Sequence, residues 1–157
     1  MRRGRKAKPT PKKTYDLITQ DTEEGKGVFK LLHAVKKEYR DELLHARIGV
    51  AWMIGKKADK DGRITLGRLK KCSELERQMH QLDAIVLLNQ EHWRVFSPAQ
   101  RTALMHHELC HLAPSLDPNG DQAEDGHGAK KWRTVKHDGE EFRPVVAAHA
   151  CYKDDLR

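Results

Sequence analysis

The stretch from Ser97 to Pro114, SPAQRTALMHHELCHLAP, has the fewest conformational choices of any in the chain. Ser97 suits the N-cap of a helix, Pro98 the first helical position, and Gln100 completes a capping box with Ser97. The predicted helix runs to Leu112 or Ala113, where Pro114 discourages further extension. Within it His107 and His111 lie four residues apart, about 6 Å of rise at nearly one azimuth, so both imidazoles can face one ion. Glu108 sits about 100° around from His107, beside such an ion rather than on it. Met105, Leu109 and Leu112 share a different stripe, which anchors the helix to a core while the histidines face a cleft. Random placement of the chain's 10 histidines and its glutamates yields this HExxH pattern only roughly 0.04 times per chain, so a metal site outweighs a solvated helical face.

A carboxylate at the Glu108 offset can take a proton from a zinc-activated water and return it to a leaving amine. His106 with Cys110 also has ligand spacing, but that register places no glutamate at the catalytic offset. His106 reads as a flanking residue that supports the site, and Cys110 as a packing residue. Zinc held for catalysis usually has three protein ligands and one open position, which leaves a third ligand to find. Asp117 has the spacing of an extended HExxH pattern, yet that pattern needs glycine where Pro114 stands, and proline cannot take a positive φ. His127 lies in EDGHG, a Gly- and Asp-rich loop. His137, in KHDGEEF, follows a predicted strand (KKWRTV) and precedes a predicted helix (FRPVVAAHACY), so two rigid elements would hold it. Glu140 and Glu141 in the same segment are the carboxylate alternatives.

Elsewhere, residues 28–44 show apolar positions at helical spacing and predict an amphipathic helix. Residues 46–57 and 64–71 predict two strands joined by a hairpin-like connection through ADKDGR. That turn carries two aspartates without the full calcium-loop pattern, which excludes calcium. SELE predicts a short capped helix over 73–81, and DAIVLLN a buried strand. Trp52, Trp93 and Trp132 read as core or cleft-wall aromatics. Cys72, Cys110 and Cys151 are odd in number and form no CxxC pair, so neither a disulfide framework nor a cysteine-rich zinc knuckle is expected. No apolar run approaches the roughly 18 residues of a membrane span, and Met1 is followed by charges. The expectation is a cytoplasmic protein without a membrane partner.

The formal net charge of +7 belongs to one end of the chain. Residues 1–13, MRRGRKAKPTPKK, carry seven cations and no acid; without them the chain has 23 basic and 23 acidic residues and is neutral. The reading is a flexible basic tail over residues 1–14 and a folded domain over 15–157. Such a tail can lie on a phosphate backbone through counterion release, or serve only solubility. No aromatic residue interleaves with its cations, so any nucleic-acid contact would be non-specific.

Taken together, DAIVLLNQEHW, SPAQRTALMHHELCHL and KWRTVKHDGEEF resemble the phage metallopeptidases, small proteins related in pattern to the SprT and Spartan-type zinc peptidases. The similarity spans roughly residues 48–142, and HHELCH and HDGEEF are its specific parts. The resemblance implies a small α+β zincin-like domain with an N-terminal helix, a short mixed sheet and an HExxH active-site helix. It also implies zinc bound by His107, His111 and His137, with Glu108 as general base and a protein or peptide as substrate. The location would be the cytoplasm of a host cell. The alternative from another class is a non-catalytic module that zinc staples and that binds nucleic acid or protein.

Overall fold

Two apolar runs, residues 48–53 and 84–89, set the middle of the sheet. The computed structural model describes residues 14–137, with Gly4, Val145, Ala148 and His149. Most of the basic tail, Glu140, Glu141, Cys151 and most of the helix predicted over 142–152 lie outside the described residues. In chain order the elements are β1 (Tyr15–Leu17), α1 (Glu23–Tyr39), β2 (Ile48–Met53), β3 (Gly67–Lys71), α2 (Glu74–His80), β4 (Ala84–Asn89), α3 (Gln90–Val95), α4 (Pro98–Leu109), β5 (Leu112–Pro114) and β6 (Trp132–Thr134). The architecture is α+β, with four α-helices and a mixed sheet among the described residues.

β2 buries every residue but Gly49, and β4 buries Ala84, Val86, Leu88 and Asn89. Strands apolar on both faces belong inside a sheet, and these two pair in parallel, Val50 opposite Val86. β1 flanks β2 and β3 flanks β4, both antiparallel, in the order β1-β2-β4-β3. The hairpin predicted between β2 and β3 is therefore corrected, because β4 lies between them. β4 has the apolar content of a central strand, whereas GRLKK, rich in charge, suits an edge.

α1 starts earlier than the periodicity from Val28 suggests, because Thr22 caps it by accepting from the Gly25 amide at 3.0 Å. It ends at Tyr39 rather than Leu44, and a short 3-10 turn follows at Asp41–Leu43. α3 was not foreseen: Asn89, the last residue of β4, caps it by accepting from the His92 amide. α2 carries the full capping box of Ser73 and Glu76 expected from SELE. α1 and α4 supply Val28, Leu32, Val35, Leu104, Met105 and Leu109 to one apolar core with the sheet. Burial of each such side chain stabilises the fold by about 1.5–3 kcal/mol.

β5 and β6 form a separate two-stranded antiparallel sheet, Leu112 opposite Thr134. Between them the chain makes two turns of one kind. Asp117 Oδ1 accepts from the amides of Asn119 and Asp121, and Asp125 Oδ1 from those of His127 and Ala129. Gly120 and Gly128 take positive φ of 84° and 77° at the same place in each turn, where a side chain would be strained. No helix among the described residues is long and apolar enough to cross a membrane.

Candidate metal centre

The capping box at the start of α4 is complete: Gln100 N donates to Ser97 Oγ at 3.2 Å and Ser97 N to Gln100 Oε1 at 2.9 Å. With the first turn fixed, Ala103, Leu104, Met105 and Leu109 are sealed in the core, and His106, His107 and Glu108 are buried with them. The helix ends at Leu109 rather than at Leu112 or Ala113. The Cys110 amide is shared between the carbonyls of His106 and His107, and the His111 amide reaches Glu108 O at 3.1 Å, a tightened last turn. The physical reason is β5, which begins at Leu112 and requires the chain to leave the helix. His111 thus stands in the turn beyond α4.

The ring of His111 is fixed from the other segment. Its Nδ1 lies 2.8 Å from the carbonyl of Val135, whose amide donates to His111 O at 2.7 Å. A carbonyl only accepts, so Nδ1 carries the proton and Nε2 presents a lone pair. Two residues beyond Val135 comes His137. Its Nε2 is 2.9 Å from His111 Nε2 and 3.0 Å from His107 Nε2, and the three potential ligand atoms all lie within 4.8 Å of one another.

Three imidazole nitrogens do not gather this way for mutual hydrogen bonding, since neutral rings cannot satisfy three facing nitrogens with one another. A tetrahedral zinc with Zn–N bonds of about 2.0–2.1 Å holds neighbouring nitrogens about 3.3 Å apart, close to the spacing found. The donor set fits a metal ion. His107 is buried, His111 half-buried and His137 exposed, so the centre opens towards solvent on the His137 side. Glu108 is 2% exposed. Its Oε1 lies 3.7 Å from His107 Nε2, beside the three nitrogens.

The other sequence candidates lie elsewhere. The His127 ring is exposed, 2.8 Å from Gln78 Nε2 and 3.8 Å from Glu74 Oε1. Asp117 uses its carboxylate within its own turn, and Glu140 and Glu141 lie outside the described residues. His106 is buried with Nδ1 3.1 Å from His149 Nε2, and Tyr39 stacks on it with centroids 4.6 Å apart. His149 is thus a neighbour of the HExxH helix that the sequence does not reveal, because a separation of 43 residues leaves no local signal. Trp52 and Trp93 pack edge to face in the core, and Trp132 is buried on β6.

Residues 20–156 match the family model described as "Putative phage metallopeptidase". No curated protein and no solved structure matches the chain.

Proposed function

The chain belongs to the phage metallopeptidase family, and on that premise we propose that it is a zinc-dependent peptidase of the HExxH type. His107, His111 and His137 would hold the ion, and Glu108 would be the general base. The fold is read as zincin-like, with α4 as its active-site helix. The observation that carries this reading is the meeting of three imidazole Nε2 atoms, from positions 26 and 30 residues apart, next to a buried carboxylate.

Zinc on three neutral nitrogens supplies Lewis acidity, lowering the pKa of water to about 7 and polarising a carbonyl. The protein's groups do the rest. Val135 O keeps the proton of His111 on Nδ1, so Nε2 stays a donor of electrons. Burial of His107 and Glu108 keeps bulk water from both. Glu108 Oε1 takes the proton of the attacking water as its oxygen bonds to the scissile carbon, and delivers it to the amide nitrogen as the C–N bond breaks. The products are a carboxylic acid and an amine.

Glu108→Gln should retain one zinc per chain and lose cleavage of a denatured general protein substrate. Unchanged cleavage would overturn the enzyme reading, and a stoichiometric zinc with no cleavage even by wild type would leave a zinc-stapled binding module.

The same proposal takes residues 1–14 as a basic tail attached to a domain over 15–157. It takes the location as host cytoplasm and the SprT and Spartan-type zinc peptidases as proteins related in pattern. Seven cations in residues 1–13 support non-specific contact with nucleic acid. Removing those residues should flatten the salt dependence of DNA affinity; an unaltered slope would remove the tail from the proposal.

A further inference from the structure

We infer that Gly67 is a positioning residue for Glu108: by having no side chain it leaves the space in which the Glu108 carboxylate lies. The inference rests on Glu108 acting as the general base.

A Cβ added at Gly67 would stand 2.9 Å from Glu108 Oε1 and 3.1 Å from both Cδ and Cγ. These are closer than carbon and oxygen atoms pack without one of them moving. Backbone conformation does not explain the glycine, because Gly67 is not among the described glycines with positive φ, which are Gly55, Gly62, Gly120 and Gly128. In a strand, glycine weakens pairing and often marks a close approach. Here the close approach is to a carboxylate beside three converging imidazoles.

Strand and helix cannot give way equally. Gly67 pairs opposite Leu88 on the central strand β4. The chain just before it is pinned by Asn89, whose amide donates to Leu66 O at 2.8 Å and whose side-chain nitrogen donates to Thr65 O at 3.1 Å. On the other side, α4 holds the Glu108 backbone in the core, but the carboxylate is the far end of a flexible side chain. A methyl group at position 67 is therefore accommodated by turning the whole Glu108 side chain, because its Cγ is crowded as closely as its Cδ. The distance of the carboxylate from the three Nε2 atoms changes. Glycine at 67 thus selects where the base stands.

In the zinc-loaded protein, Gly67→Ala should keep one zinc per chain and stay folded at the assay temperature. Its kcat should fall by about a hundredfold, the scale of a 1 Å misplacement, with KM little changed; Gly67→Val should fall further. Wild-type kcat in Gly67→Ala, when Glu108→Gln is inactive, would overturn this inference and leave the base assignment standing. Wild-type activity in Glu108→Gln would overturn the base assignment itself. If Gly67→Ala is too unstable to assay, the Tm is compared with and without Glu108→Ala. The glycine substitution should lower Tm only where Glu108 is present, and an equal loss in both backgrounds would overturn the inference.

Discussion

His107 and His137 face each other from two regions built on different physics. His107 stands on α4, where consecutive residues from Ala103 to Leu109 are buried. His137 follows an arm, residues 115–131, that is exposed or half-buried throughout. The arm satisfies its own backbone with Asp117, Asp125 and two positive-φ glycines. Its moorings to the body are polar. Arg77 Nη2 reaches Asp125 Oδ2 at 2.9 Å and Arg77 Nη1 donates to Lys130 O; just beyond the arm, Lys71 Nζ donates to the carbonyl of Trp132, whose side chain joins the core. Apolar burial is non-directional and little affected by salt or pH, whereas hydrogen-bonded turns hold geometry without a core. The site therefore joins a ligand on a buried helix to one that follows a turn-built arm, with the buried Trp132 standing between that arm and His137.

If both halves are needed for the metal, His107→Ala and His137→Ala should each take zinc from one per chain to none, by elemental analysis, while His127→Ala keeps it. Retained zinc in His137→Ala would break the comparison at its root. Leu109→Ala should destabilise the whole fold by about 2–5 kcal/mol in denaturant unfolding; a smaller loss would mean that the helix half does not depend on the core. Asp125→Ala should act on the arm. Zinc affinity should fall, with the unfolding midpoint lowered less than by Leu109→Ala although Arg77 loses its partner. A large drop in midpoint would show that arm and core unfold as one.

The smallest effect expected is one of pH. The carboxyl of Asp125 is held below the usual aspartate range, chiefly by the hydrogen bond from the His127 amide, helped by the Ala129 amide and the nearby Arg77. Its folded pKa is the lower one, so the stabilisation is fully present above the unfolded value of about 3.9 and is lost as pH falls through the folded value. In metal-free protein, amide exchange at His127 and Ala129 should stay slow at about pH 5 and quicken below the unfolded value. Core amides on β4 should not follow. Equal acceleration in both would dissolve the distinction.

The contrast also explains what could be read from sequence. α4 is written in neighbouring residues: Ser97, Pro98 and Gln100 name its start, and the apolar stripe names its buried face. Its end was misjudged because β5 pairs with β6, which begins 20 residues after β5 starts and leaves no mark at Cys110. The insertion of β4 between β2 and β3 was hidden for a similar reason, since a turn signal such as ADKDGR reports a bend and not a partner. The turn itself was legible, with Asp59 Oδ1 accepting from the amides of Asp61 and Arg63 and Gly62 at φ 75°. Gly67 carries no signal of its own in the sequence, because its contact is with a residue 41 positions away.

The grip on His111 has a consequence for how such chains are compared. Both bonds between His111 and Val135 use the peptide group of Val135, not its side chain. Any residue except proline offers the same amide and carbonyl, so these two bonds do not depend on the Val135 side chain, which packs against the core instead. What orients that ligand is thus written in no letter of the alphabet, and comparing letters alone would overlook it.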